Sequence, residues 1–115
     1  MPKIKQLLPS LREKKRYLAF EILSNKPLMR DVGKDVKKGV EKTLGLFDSA
    51  SAGIMLMKYN TKTQRGIMKM AHTYVDKVRV SLMLMNAEDI DFDDEISIAT
   101  LKVSGNMSKL AHYAG

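Results

Sequence analysis

The hydrophobic period of this sequence changes several times along the chain, and this change is the feature that most limits its fold. In residues 16–24, Leu18, Phe20 and Ile22 occupy alternate positions, which is the period of a half-buried strand. In residues 28–44 the apolar side chains recur every three or four positions, which is the period of an amphipathic helix. The sequence therefore predicts a strand followed by a helix.

The rest of the chain continues in the same way. Two short apolar segments, residues 54–59 and 65–71, are separated by turn-forming residues, and this pattern predicts an antiparallel hairpin. Residues 48–53 are mostly small and are predicted to be a loop. A second helix is predicted to have Thr73 as its N-cap. The predicted elements, in chain order, are strand 16–24, helix 28–44, strands 54–59 and 65–71, helix 73–86, strand 96–103 and a short helix 107–113.

This order of elements predicts an α+β fold of the ferredoxin-like class. Its β-α-β-β-α-β arrangement gives a four-stranded antiparallel sheet with two helices on one face, here followed by a short C-terminal helix. A length of 115 residues suits a single domain, 1–115, with a basic N-terminal segment, 1–15. No apolar run is long enough to span a membrane and no signal-peptide pattern is present, so a cytoplasmic location is expected.

Two helices cover only one face of such a sheet. The second face is predicted to be too apolar to be simply solvated, which indicates an interface with a partner. The alternative is that the C-terminal helix and the N-terminal segment cover it. Because both faces of the hairpin are apolar, the orientation of each strand stays open. We predict that Leu18, Phe20, Ile22, Met55, Met57, Met68, Met70, Ala99, Leu101 and Val103 face the helices. The predicted partner interface on the second face is Tyr17, Ile54, Leu56, Ile67, Ile96 and Ile98.

The charge of the chain is unevenly distributed. Its formal net charge is +7, from 20 Lys and Arg against 13 Asp and Glu. Residues 1–42 account for all of this excess, whereas most of the remaining acidic residues fall in the run 88–95. One basic pole and one acidic loop are therefore predicted, and a basic pole suits a polyanionic partner such as nucleic acid.

Clustered lysines in the first third of the chain are the strongest functional signal. Lysine neutralises phosphates and releases counterions, so such contacts supply affinity rather than sequence choice. The alternative is a merely solvated helix face, partly neutralised by Asp35 and Glu41. The residues predicted to bind RNA are Arg12, Lys14, Lys15, Arg16, Lys34, Lys37, Lys38, Lys42, Lys58 and Arg65.

The sequence offers little for catalysis or metal binding. It has no cysteine, and its two imidazoles, His72 and His112, have no nucleophile at a recognisable spacing. The three Met-x-Met pairs are interpreted as core packing rather than as ligands for a soft metal. The acidic run 88–95 lacks the glycine and the closing glutamate of a calcium loop and is interpreted as a solvated loop. No catalytic residue and no metal site are expected.

The ferredoxin-like order of elements is also that of the RNA-recognition motif. That motif stacks bases on aromatic residues of its third strand. The third strand here reads RGIMKMA, in which only Arg65 and Gly66 fit the pattern. Recognition by stacking on this strand is therefore disfavoured, and contacts with the RNA backbone are what the residues allow.

Five segments together resemble a known family. They are LPSLREKKRYLAFE (residues 8–21), AGIMLMKYN (52–60), QRGIM (64–68), TYVDKVRVSL (73–82) and VSGN (103–106). In this order and at this spacing they resemble the archaeal ribonuclease P protein component 2 family, which is the family of the eukaryotic Pop-five subunit. The resemblance extends from about residue 8 to residue 110.

The resemblance implies an accessory protein in the ribonucleoprotein that removes the 5′ leader from precursor tRNA. In that enzyme the RNA carries the catalytic centre with magnesium ions, so no cofactor is expected on this chain. The implied partners are the ribonuclease P RNA, the TIM-barrel subunit called component 3, and a second copy of this chain in a heterotetramer. Residues 14–17 and Lys58 match family positions and are the first expected RNA contacts. The alternative function is a protein-interaction or dimerisation module with no RNA role.

Overall fold

The computed structural model describes residues 14–90, 92 and 94–114. Four strands form one sheet, and three α-helices lie against it. The predicted α+β, ferredoxin-like fold is confirmed. The elements are β1 (Lys15–Ser24), α1 (Gly33–Leu44), α2 (Leu46–Ala52), β2 (Met55–Asn60), β3 (Arg65–Ala71), α3 (Val75–Leu84) and β4 (Ile96–Ser104).

The strands lie in the order β2-β3-β1-β4, and every neighbouring pair is antiparallel. β1 and β2 are therefore parallel to each other on the two sides of β3. α1 returns the chain between them across one face of the sheet, as a crossover connection must. All three α-helices contribute to the core on that face, which we call the helix side; the opposite face is the second face.

The helix-side core is the larger of two clusters of buried side chains. Phe20 of β1 is fully buried at its centre, together with Val36 of α1 and Leu82 of α3. The Phe20 ring lies against Gly66 of β3, where an added Cβ would lie 2.6 Å from the ring. The glycine therefore makes room for the largest side chain in this core.

Several local predictions were wrong. Residues 48–53 are not a loop: most of them belong to α2, which is bounded by Gly45 and Gly53, both with positive φ. Thr73 caps no helix, because a 3-10 turn (His72–Tyr74) precedes α3. The C-terminal helix is instead two 3-10 turns, Met107–Lys109 and Ala111–Tyr113.

Two β-bulges determine which side chains face the helices. In β2 the register with β3 shifts between Leu56 and Lys58, and in β4 the register with β1 skips Leu101. Beyond each bulge the alternation of faces is reversed. Four predicted inward residues therefore lie outside the helix-side core: Met55, Met57, Ala99 and Leu101. Four residues predicted for the second face instead pack in or against that core, so their assignment was wrong: Ile54, Leu56, Ile96 and Ile98.

The chain itself covers the middle of the second face. Ile67 of β3 and Ala19 of β1 are fully buried there beneath Leu110 and Ala114. Residues 107–114, which we call the C-terminal cover, run from the end of β4 over β3. Ile67 is therefore on the predicted face but closed to a partner, and Tyr17 beside it is half-buried.

Candidate nucleic-acid interface

The start of β1 is held by a short backbone connection to β3. The backbone N–H of His72, the residue after β3, donates to the Lys14 carbonyl at 2.8 Å. Alternation along β1 then sends Lys15 to the second face and Arg16 to the helix side. Arg16 donates to the Lys15 carbonyl at 3.0 Å. The predicted cluster at residues 14–16 is therefore divided between two faces at one end of the sheet.

The outer side of α1 carries a second group of cations. Val36 and Val40 are buried against the core, so Lys34, Lys38 and Lys42 project to solvent. Lys34 and Lys42 are eight residues apart, or about 12 Å along the helix. We call these three residues, together with Lys37, the helix lysine surface.

Acidic side chains partly neutralise the helix lysine surface. The Lys37 ammonium lies 3.1 Å from a Glu41 carboxylate oxygen. At the start of the helix, Arg30 pairs with Asp35 at 2.8 Å and also donates to the Ile90 carbonyl, which fixes the acidic segment after α3 against α1. Glu41 thus neutralises Lys37, whereas Asp35 pairs with Arg30, which lies outside the helix lysine surface.

The second face carries a third group of cations. Lys58 pairs across with Ile67, Ile67 with Ala19, and Ala19 with Lys102, so these side chains form one row across four strands. Lys69, one row away, pairs with Tyr17. We call Lys15, Lys58, Lys69 and Lys102 the sheet lysine surface. With strands about 4.8 Å apart and about 3.3 Å per residue, their Cα atoms lie within roughly 16 Å of one another.

Arg65 is the one predicted RNA-binding residue of the second face that has an acidic partner. Its Nε lies 3.6 Å from the Glu21 Oε2, and the Glu21 side chain is 25% exposed. Within the strands and the C-terminal cover, as far as the structure describes them, Glu21 is the one carboxylate on the second face. The sheet lysine surface therefore has little internal neutralisation.

The predicted RNA-binding residues are thus not gathered in one pole. Most of them lie on two opposite surfaces, the outer side of α1 and the second face of the sheet. Lys14 precedes β1, Arg16 lies on the helix side, and Arg12 lies outside the described residues. Sequence reasoning missed Lys69, Lys102 and Lys109. The first two interrupt apolar strand patterns, and this is the signal that could have identified them.

Exposed apolar side chains are concentrated on α2 and α3. Phe47 is 85% exposed and Met83 76% exposed. On α3, Val80, Met83 and Leu84 share one side by their helical spacing. A cavity of about 350 Å³ between α3 and the α1–α2 corner is bordered by Val80. We call Leu46, Phe47, Val80, Met83 and Leu84 the helix apolar surface.

Among the described residues, Tyr59 of β2 has a clearly perturbed pKa. Its hydroxyl is buried and has no hydrogen-bond partner among the described residues, although its ring stacks on Phe20 with centroids 6.4 Å apart. Burial, reinforced by the nearby Asp31 carboxylate, raises the pKa of Tyr59 to about 12. This tyrosine lies against the core, so the shift indicates packing rather than acid–base chemistry.

Neither a metal site nor a membrane-spanning helix is found in the described part of the chain. No three His, Asp or Glu side chains within residues 14–90, 92 and 94–114 are arranged to hold a metal ion. Over the same residues no helix is long and apolar enough to cross a bilayer. The three surfaces are therefore the candidate contact sites of the described chain.

The model of the Rpp14/Pop5 family matches residues 16–115. This chain belongs to the Rpp14/Pop5 family. The family resemblance predicted from the five sequence segments is thereby confirmed. The match includes β1 from its second residue, the other three strands, the helix lysine surface and most of the sheet lysine surface.

Archaeal proteins named ribonuclease P protein component 2 are similar to this chain over more than two thirds of its length. "Ribonuclease P protein component 2" of Pyrococcus abyssi is 37% identical over 110 residues, which cover 94% of this chain and 90% of that protein. The protein of the same name from Methanosarcina mazei is 40% identical over 80 residues, covering 69% of this chain and 67% of that one. A chain in the cryo-EM structure of yeast ribonuclease MRP has the same fold, with a TM-score of 0.62 at 12% identity, covering 84% of this chain and 77% of its own.

Proposed function

We propose that this chain is a non-catalytic protein subunit of ribonuclease P. In this role it binds and stabilises the enzyme's RNA during removal of the 5′ leader from precursor tRNA, in the cytoplasm. The observation that carries the proposal is membership of the Rpp14/Pop5 family over residues 16–115, with relatives named ribonuclease P protein component 2. The magnesium ions of the reaction belong to the RNA in this proposal.

The charges of the described residues support RNA binding. The helix lysine surface presents three solvent-facing ammonium groups within about 12 Å, and Lys14 and Lys15 are exposed at the start of β1. Ammonium groups on a folded scaffold bind a phosphate backbone through counterion release and without sequence choice. A scaffold protein of a catalytic RNA needs affinity of this kind rather than base recognition.

The helix apolar surface supports a protein partner. Five large apolar side chains that are at least half exposed are more than a solvated helix needs, and such patches mark contact sites. We assign this surface to component 3, the TIM-barrel subunit, and expect two such pairs to join through this chain as a heterotetramer. The closed middle of the second face argues against a docking site there, because Ile67 and Ala19 have no exposed area.

Reconstitution tests the proposed function. Ribonuclease P RNA, component 3 and precursor tRNA are mixed with and without this chain, and leader removal is followed. Adding the chain is expected to raise the cleavage rate, and its binding to the RNA is expected to weaken steeply with salt. Full processing in an extract depleted of this chain would contradict the proposal.

A triple variant separates the proposal from its alternative. Lys14→Ala/Lys15→Ala/Arg16→Ala is expected to lower RNA affinity, whereas Lys26→Ala/Lys77→Ala/Arg79→Ala, which removes the same charge elsewhere, is expected to retain it. Unchanged RNA affinity in the first variant would favour the protein-interaction module. Light scattering on the chain with component 3 measures whether the complex has the mass of a heterotetramer.

A further inference from the structure

The second face of the sheet has a closed centre and a basic surround. Ile67 and Ala19 at its centre are fully buried under the C-terminal cover. Lys58 and Lys102 lie at the two ends of the same row, and Lys69 lies one row away. This arrangement differs from an exposed apolar sheet face, because the chain itself covers the apolar centre.

The C-terminal cover adds to the basic character of this face. Leu110 and Ala114 point to the sheet, whereas Lys109 is exposed. Residues 107–114 contain no acidic side chain. At the β2 edge, Ala114 borders a cavity of about 460 Å³ together with Lys58 and Lys62. The cations of the strands and of the cover therefore face solvent on the same side of the molecule.

We propose that the sheet lysine surface and Lys109 of the C-terminal cover form an RNA-contact surface that binds the sugar-phosphate backbone. Lys69, Lys102 and Lys109 are its defining cations, since none of the three belongs to the residues predicted from the sequence to bind RNA. The inference rests on the proposed function and specifies where on the chain the RNA lies. It adds a contact on the opposite side of the molecule from the helix lysine surface.

Two observations favour RNA over a protein partner on this face. The centre of a protein interface presents buried aromatic or aliphatic anchors and is depleted in charge. Here the apolar centre is covered, since Ile67 and Ala19 have no exposed area and Tyr17 is half-buried in the same cluster. The exposed apolar side chains of this face, Leu23 and Met55, lie at strand ends away from that centre. The Glu21 carboxylate is paired with Arg65, so the lysines have few internal counterions. Lysines with few counterions within the protein favour binding to an external polyanion.

The experiment compares two variants that lose the same charge. Lys69→Gln/Lys102→Gln/Lys109→Gln removes three cations from the proposed surface, and Lys26→Gln/Lys77→Gln/Arg79→Gln removes three from the loop after β1 and from α3. The probe is ribonuclease P RNA transcribed in vitro, and its affinity for the full chain is measured between 50 and 200 mM salt. The first variant is expected to lower the salt slope by about two to three units. Across this fourfold range of salt, the affinity of the variant is then expected to fall about 16- to 64-fold less than that of the unaltered chain. The second variant is expected to keep the slope of the unaltered chain.

Each other outcome overturns the inference in a recognisable way. Equal changes in both variants would mean that net charge alone determines binding. If the unaltered chain binds the RNA strongly and the first variant has the same salt slope, the RNA does not contact this face. The proposed function would still hold in that case. Retained RNA binding with lost capture of component 3 would identify the face as a protein contact. An unaltered chain that does not bind the RNA would instead contradict the proposed function itself.

Discussion

The two faces of the sheet are closed in different ways. On the helix side, three α-helices cover a core that contains sixteen buried residues within the described part of the chain, among them Phe20, Val36 and Leu82. On the second face, two 3-10 turns cover a cluster of four buried residues: Ala19, Ile67, Leu110 and Ala114. The helix side therefore supplies most of the stability, whereas the second face needs only enough burial to hold the C-terminal cover in place. Because this cluster is small, the rest of that face can carry charged side chains.

The largest expected effect of a substitution is on the helix side. Phe20→Ala removes a fully buried ring from the centre of the larger core and is expected to lower the free energy of unfolding by about 3–5 kcal/mol. Leu110→Ala on the second face is expected to cost roughly 2 kcal/mol, because the C-terminal cover can detach without unfolding the sheet. Urea unfolding followed by circular dichroism measures both values.

Limited proteolysis distinguishes detachment of the cover from global unfolding. Leu110→Ala is expected to accelerate tryptic cleavage after Lys109 under conditions in which the rest of the chain stays intact. Phe20→Ala is expected to expose sites throughout the chain together. Cleavage at Lys109 that is no faster in Leu110→Ala than in the unaltered chain would show that the second face is as rigid as the helix side.

A smaller effect is expected from Tyr59 at high pH. Because burial raises its pKa to about 12, above the value of about 10 in an unfolded chain, folding favours the neutral phenol. The stability that depends on this neutral form is complete below pH 10 and is lost as the pH rises from 10 to 12. Tyr59→Phe cannot ionise, so its unfolding free energy should fall less than that of the unaltered chain between pH 9 and 11. Parallel falls in the two proteins would contradict the assignment.

The sequence predicted the order of the strands and helices but not the orientation of every strand. β1 and β3 have clear patterns, and Leu18, Phe20, Met68 and Met70 face the helices as predicted. β2 and β4 are apolar on both sides, and each contains a bulge that reverses its alternation. A bulge inserts one unpaired residue and leaves no signal in a two-residue period. The face assignments before each bulge therefore failed, whereas Val103, beyond the bulge in β4, packs against the helix-side core as predicted.

The candidate site was predictable in residue type but not in position. Lys34, Lys38 and Lys42 of α1 are exposed as their helical period predicts, whereas Lys37 is half-buried. Lys69 and Lys102 were missed because a single lysine within an apolar strand has no periodic signal. Whether it belongs to a basic surface depends on which side chains of the neighbouring strands share its face. The sequence predicted the cover over Ile67 only as one of two alternatives. A 3-10 turn is too short to show a hydrophobic period, so its sequence does not indicate which surface it packs on.

Glu21→Gln is expected to have the smallest effect on stability. It also gives the most direct test of whether RNA binds the second face. The Glu21–Arg65 pair is partly exposed, so its loss is expected to change the unfolding free energy by less than about 1 kcal/mol. It removes the one carboxylate found on the described second face and releases Arg65 for a phosphate. RNA affinity should therefore rise, with a salt slope steeper by about one unit.

Asp48→Asn is the matched control for Glu21→Gln. It removes one carboxylate and releases Lys77, which lies 3.3 Å from Asp48 between α2 and α3 and away from both lysine surfaces. If the RNA lies on the second face, only Glu21→Gln should steepen the salt slope, because only there does the released cation meet phosphate. An equal rise in RNA affinity and salt slope in both variants would mean that binding depends on the total charge of the chain. The two faces of the sheet would then differ in packing but not in RNA binding.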